Sequence, residues 1–145
     1  MKSKIILGLS LFCFGLSHAQ KTITWKDLAK ITYTEKYFEE YDETFLYPDF
    51  SKEMIALQGK LVSIKGYFLN VDPEAKLYIL SKGPMASCFF CGEGGPETAV
   101  ELQFSSKQKF KTDAIVMITG RLQLNKDDVE HFNYILKECK GSLLD

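Results

Sequence analysis

The stretch Lys60-Leu-Val-Ser-Ile-Lys-Gly-Tyr-Phe-Leu69 decides the fold of this chain. Val62 and Ile64 are two positions apart, so a β-strand places both side chains on the same face. Gly66 interrupts the run, which is typical of a strand that bends or bulges within a strongly curved sheet. The stretch therefore predicts a curved β-strand that belongs to a small barrel.

Four further stretches have the same strand character, and polar or turn-forming segments separate them. Val100 and Leu102 alternate with their neighbours on one face of the third strand, and the fourth strand is the most apolar and carries Gly120. The five predicted strands cover residues 60–69, 77–80, 98–104, 114–124 and 132–136. Five strands in about 80 residues, two of them with glycine bends, favour a closed barrel of the OB type. A β-sandwich is the alternative, although it usually contains more strands.

The segment before the barrel combines short helices with one strand and many aromatic side chains. Thr24 is the residue type of a helix N-cap, and it precedes a predicted short helix at residues 25–30. Residues 31–37 predict a strand, and Ser51 predicts the cap of a helical turn that extends to Leu57. We therefore expect a mainly β protein, with an OB-like barrel at residues 59–140 and a short helical N-terminal extension at residues 20–58. The aromatic side chains of the extension are expected to pack against one end of the barrel.

Residues 1–19 have the parts of a secretory signal peptide. Lys2 and Lys4 supply the positive charge, and residues 5–16 supply an apolar core that is too short to span a bilayer. Small residues precede the expected cleavage site after Ala19. Cleavage there predicts a periplasmic or secreted protein.

The remaining 126 residues have the size of one domain. Removal of Lys2 and Lys4 changes the formal net charge from −1 to −3. A mildly acidic chain without a cluster of Lys and Arg argues against nucleic-acid binding. No later segment is apolar and long enough to predict a membrane span.

The loop between the second and third predicted strands contains Cys88-Phe-Phe-Cys91-Gly92. This spacing is typical of one half of a zinc site, which needs four ligands and takes Cys or His most often. The third and fifth strands of an OB barrel run parallel and adjacent, so their beginnings lie at the same end. The sequence therefore predicts Cys88, Cys91 and His131 as metal ligands. The remaining ligand is expected from the carboxylates Glu93, Glu97, Asp127 or Asp128.

Other interpretations of the two thiols stay open. A disulfide between Cys88 and Cys91 is equally natural in an oxidising compartment. A thioredoxin-like redox role is less favoured, because the glycine-rich segment after Cys91 is a poor helix start. The thiols could also be without a role. Cys139 lies about 25 Å along an extended strand from His131, so it is expected to be a buried thiol and not a ligand.

No catalytic constellation or phosphate-binding loop is evident in the sequence. The chain is therefore expected to be a binding module without enzymatic activity that takes a small ligand, a metal ion or a protein of the cell envelope. An exposed patch formed by Tyr33, Tyr37, Phe38 or Tyr41 would suit a protein partner. The alternative function is a thiol-disulfide or metal-handling enzyme that uses Cys88 and Cys91.

Three parts of the chain together form a recurrent pattern. They are Leu57-Gln-Gly-Lys-Leu-Val-Ser-Ile-Lys-Gly-Tyr-Phe68, the cysteine loop with its prolines, and Ile118-Thr-Gly-Arg-Leu122 followed by Tyr134-Ile-Leu136. The pattern resembles a family of exported bacterial OB-like proteins, a domain of unknown function in which some members are suspected of metal-related roles. The resemblance spans roughly residues 45–138 and implies an OB-like fold and export. Many members carry a Cys-x-His pair before prolines, whereas this loop contains Cys88-x-x-Cys91 and no histidine.

Overall fold

The computed structural model describes residues 20–87, 92 and 94–144. The expected signal peptide, Cys88, Cys91 and Glu93 lie outside the described residues. The elements, in chain order, are β1 (Lys21–Thr22), α1 (Trp25–Leu28), β2 (Ile31–Phe38), β3 (Glu43–Phe50), α2 (Lys52–Ile55), β4 (Leu61–Asp72), β5 (Leu77–Ser81), β6 (Ala99–Leu102), β7 (Ala114–Leu124) and β8 (Tyr134–Leu143). Among the described residues between β5 and β6, Met85–Ser87 and Pro96–Thr98 form 3₁₀ turns.

Five strands close into a barrel in the order β4-β5-β6-β8-β7, and β7 pairs back onto β4. Neighbours in the barrel are antiparallel except β6 and β8, which run parallel with Glu101 opposite Ile135. This strand order, with its one parallel pair, is that of the OB fold. The predicted mainly β, five-stranded OB-like barrel is therefore confirmed.

Alternating apolar residues of the barrel strands form the main core, and Leu69, Ile79 and Ala99 form a second, smaller cluster. Val62, Ile64, Val100 and Leu102, which the sequence places on inward faces, are at most 2% exposed. The N-terminal segment adds to this core, because Leu28 of α1 is fully buried and Trp25 donates its indole N–H to the Lys65 carbonyl, 2.8 Å away. The first part of the extension therefore packs onto the barrel, whereas Tyr37 and Tyr41 of the hairpin are exposed.

Gly66 of β4 and Gly120 of β7 occupy their positions for different structural reasons. At Gly120 the register of β7 against β8 shifts, which is a β-bulge. At Gly66, by contrast, the pairing of β4 with β7 continues without a shift. A methyl group on Gly66 would lie 2.7 Å from the Ser81 carbonyl oxygen and 2.9 Å from the Trp25 ring, so glycine is needed there for close packing.

The N-terminal extension contains more β-structure than the sequence predicts. Residues 43–50 form β3, which pairs with β2 in an antiparallel hairpin that is separate from the barrel sheet. The extension contains two helices, α1 and α2, each four residues long. No helix in the described part of the chain is long and apolar enough to cross a membrane.

Candidate functional site

One end of the barrel gathers the segments that carry the predicted site residues. Because β6 and β8 are parallel, residues 94–98 before β6 and residues 125–133 before β8 lie at the same end. Tyr33 of the hairpin contacts both segments: its hydroxyl donates to Glu97 Oε2 at 3.3 Å and accepts from Asn133 Nδ2 at 3.5 Å. His131 thus lies at the end of the barrel at which β6 begins.

A cleft of about 440 Å³ opens at this end, between the β2–β3 hairpin and the β7–β8 connection. Its walls are largely apolar on the hairpin side and carry charges on the opposite side. The apolar lining comes from Phe38, Phe45, Leu46, Pro96, Val129 and Phe132. The charged lining comes from Lys126, Asp128, Glu130 and His131.

A buried carboxylate holds the histidine of the cleft. The Glu101 side chain is 8% exposed, and its oxygens lie 2.9 and 3.0 Å from His131 Nδ1. Glu101 also accepts from the Phe132 N–H at 3.3 Å and from Gln103 Nε2 at 2.9 Å. The imidazole is therefore fixed through Nδ1, while Nε2 makes no hydrogen bond with any described residue.

The same contact changes the protonation of His131. The hydrogen bond with Glu101 is the main cause that raises the pKa of His131, and the negative charges of Glu101, Asp128 and Glu130 act in the same direction. Burial of the ring opposes this effect. Because 45% of the side chain is exposed, solvent screens the ion pair and limits its contribution to stability.

Two of the carboxylates expected to complete a metal site bind the hairpin instead. Asp127 accepts from Lys36 Nζ and from the Tyr47 hydroxyl, both at 3.1 Å, and these hydrogen bonds lower its pKa. Glu97 accepts from Tyr33. Among the described residues, no group of three or more His, Cys, Asp and Glu side chains is placed to hold a metal ion. Of the three predicted ligands, His131 is the one the structure describes; Cys88 and Cys91 lie outside the described residues.

Cys139 is buried in β8, as expected. It is 7% exposed, and its Sγ lies 3.0 Å from the Leu136 carbonyl oxygen, to which it donates. Burial raises the pKa of this thiol to about 12. Cys139 is therefore a packing residue.

We expect Cys139 to resist alkylation in the folded protein. At pH 8 a thiol with so high a pKa is almost entirely protonated, and the thiolate is the reactive form. Labelling with iodoacetamide, followed by peptide mass spectrometry, should be about 100-fold slower than in urea. Equal labelling rates in the folded and the unfolded chain would contradict the buried position.

Two features of the site were not predicted from the sequence: the carboxylate of Glu101 and the wall formed by the hairpin. The signal for Glu101 is a single acid inside an otherwise apolar strand, since a buried carboxylate requires hydrogen-bond partners. Its partner follows from the parallel pairing of β6 with β8, which brings His131 next to it.

The fold and this cleft define a small OB-like β-barrel protein with a histidine–carboxylate pair at the mouth of the barrel. Comparison of the chain with family models, with curated proteins and with solved structures found no match.

Proposed function

We propose that this protein is an exported OB-like binding module, of the family that it resembles, and that the cleft beside His131 is its binding site. The cysteine loop forms part of the rim and holds a metal ion, for which zinc is the expected choice. The protein has no catalytic role in this proposal.

The observation that carries the proposal is the pair formed by Glu101 and His131. In metal sites a ligating histidine usually binds a carboxylate through its other ring nitrogen, which fixes the tautomer and the ring orientation. Here Glu101 occupies Nδ1 at 2.9 Å, and Nε2 is available on a residue that lines the cleft. A buried carboxylate that orients one partly exposed histidine is the arrangement expected around a bound metal.

Cys88 and Cys91 are the residues that we propose to complete the metal site. They belong to the segment between β5 and β6, whose Pro96 lines the cleft together with His131. Thiolates and imidazole are the ligands that zinc prefers. Asp128 or Glu130 could supply the remaining ligand, because both line the same cleft.

Metal titration of the reduced, metal-free protein tests this proposal. We expect one equivalent of Zn²⁺ to bind, and Co²⁺ in its place to show thiolate charge-transfer absorption. The substitutions Cys88→Ser and Cys91→Ser should abolish the absorption, and His131→Ala, which removes a ligand, should weaken zinc binding by more than the roughly 10- to 100-fold that loss of a ligand's carboxylate partner costs. Cys139→Ala is the matched control, since this thiol is buried and should leave the metal affinity unchanged.

Failure of the fully reduced protein to bind zinc would reject the metal site. Intact-mass analysis without reductant would then show whether Cys88 and Cys91 form a disulfide, since oxidation removes about 2 Da. Selective alkylation of one of them at mildly acidic pH would favour the thiol-disulfide enzyme instead. Export is tested separately, by N-terminal analysis of the processed protein, which is expected to begin at Gln20.

A further inference from the structure

The rim of the cleft carries acidic side chains that form no ion pair with a lysine or arginine of the described residues. Asp128 and Glu130 line the cleft, and Glu39, Glu40 and Glu43 stand at or beside the tip of the neighbouring hairpin. None of these five forms an ion pair with Lys or Arg of the described residues. The two nearby lysines already have acidic partners: Lys36 pairs with Asp127 and Lys126 with Asp49.

The acidic side chains of the hairpin tip and of the β7–β8 connection affect the same side chain, Tyr41. Tyr41 at the hairpin tip has a raised pKa, caused first by burial and then by the charges of Glu40, Glu130 and Asp128. Glu40, Asp128 and Glu130 are therefore close enough to act on the same tyrosine hydroxyl beside the cleft. This arrangement attracts a positively charged ligand.

The floor below these acids is aromatic and apolar. The rings of Phe38 and Phe45 meet edge to face with centroids 5.7 Å apart, and Leu46, the next residue of β3, is 54% exposed on the other face of the hairpin. The neighbouring ring faces already bind one cation, because Lys36 Nζ lies 4.0 Å from the Tyr47 centroid and 4.8 Å from that of Phe38. Such a surface suits the apolar stem and charged end of a lysine or arginine side chain.

An unpaired strand edge borders this floor. β2 and β3 form a two-stranded sheet, and within residues 20–87, 92 and 94–144 no third strand pairs with it. Thr44, Phe45 and Leu46 of β3 line the cleft. An open edge next to a groove is the arrangement to which an extended peptide adds as a further strand.

From these features we propose that the cleft binds an extended, basic segment of a partner protein, in which Lys or Arg alternates with apolar residues. The segment pairs with the outer edge of β3 and places its apolar side chains on the face of the hairpin that carries Leu46. Its Lys or Arg side chains alternate to the opposite face, where their stems lie along Phe45 and their charges reach Asp128, Glu130 and the hairpin tip. This inference rests on the proposed function in that it uses the same cleft, but it does not require the metal.

Two labelled peptides of the same length test the inference with the chain that begins at Gln20. One alternates Lys with Val and Phe, and the other has Glu in place of every Lys. Fluorescence anisotropy in EDTA should show the basic peptide binding about tenfold more tightly, because the rim favours cations and repels anions. The substitutions Asp128→Asn and Glu130→Gln together should weaken it about fivefold, and Leu46→Lys should abolish measurable binding.

The control variant carries Glu74→Gln and Glu138→Gln, which remove the same number of charges from exposed sites outside the cleft. It should bind the basic peptide like the original protein.

A second experiment tests the strand pairing with two N-methylated peptides, one methylated at the odd-numbered residues and the other at the even-numbered residues. Only one of the two should bind more weakly, because only every second N–H group of the peptide faces the edge of β3. The inference would be overturned if the basic and the acidic peptide bound equally well, or if methylation at either set of nitrogens weakened binding equally. Full displacement of the basic peptide by spermine would also overturn it, because the cleft would then bind any polycation. Zinc binding that persists alongside such a result would leave the proposed metal site intact. Peptide binding without zinc binding would reject the metal site alone.

Discussion

Phe68→Ala is expected to lower the free energy of unfolding by about 3–5 kcal/mol, the largest effect we expect for any substitution in the barrel. Phe68 is fully buried at the end of the barrel opposite the cleft. Its ring centroid lies 5.3 Å from that of Phe110, 5.4 Å from that of Tyr78 and 6.5 Å from that of Phe104. Alanine would remove these ring contacts and leave a cavity that the rigid strands on either side cannot close.

Urea unfolding followed by circular dichroism measures this loss. Val71→Ala is the matched control, because Val71 lies on the same strand but is 40% exposed. We expect the control to cost less than about 1 kcal/mol, since exposed strand positions contribute little. Similar losses for both variants would show that the aromatic cluster does not form the core of the barrel.

Glu101→Gln is expected to return the pKa of His131 towards the ordinary value and to weaken zinc binding by about 10- to 100-fold. The glutamine keeps the size of the side chain but removes the charge and the strong acceptor that hold Nδ1 at 2.9 Å. NMR titration of the imidazole protons in the metal-free protein reads the pKa directly, because His131 is the one histidine after Gln20. Glu138→Gln, which removes an exposed charge that pairs with Arg121, should leave this titration unchanged.

The same pair makes a pH-dependent contribution to stability. The folded protein raises the pKa of His131, so the stabilisation is fully present below the ordinary histidine pKa of about 6.5. It is lost as the pH rises through the raised value, and in Glu101→Gln this dependence should become much smaller, because only the weaker effects of Asp128 and Glu130 remain. An identical histidine titration in the original protein and in Glu101→Gln would contradict the role of the carboxylate.

Much of the barrel could be predicted from local patterns, and the errors have identifiable causes. The predicted fourth strand, residues 114–124, matches β7, because a long apolar run leaves little doubt about a strand. β8 continues to Leu143, seven residues beyond its predicted end. Lys137, Lys140 and Ser142 are polar, but their backbone groups pair with β7, and polar side chains hide that pairing from the sequence.

The predicted strand at residues 31–37 matches β2, but β3, the second strand of the hairpin, was missed for a related reason. Acidic and aromatic residues alternate irregularly in residues 38–50, and Pro48 weakens the strand signal. In the structure, backbone pairing with β2 holds this segment as a strand. Tyr33 lies opposite Pro48, and Ile31 lies opposite Phe50. The wall of the cleft therefore could not be predicted from the composition of this segment.

The sequence by itself determined the curved strands, the glycines of β4 and β7 and the burial of Cys139, because each depends on the alternation and size of neighbouring side chains. Only the tertiary structure decided that Glu101 meets His131, 30 residues along the chain, and that the hairpin and the β7–β8 connection enclose one cleft. Those contacts arise from the closure of the barrel and the parallel pairing of β6 with β8, which bring distant segments to one end. The residues around His131 in the sequence do not show that Glu101, in a distant strand, will contact it.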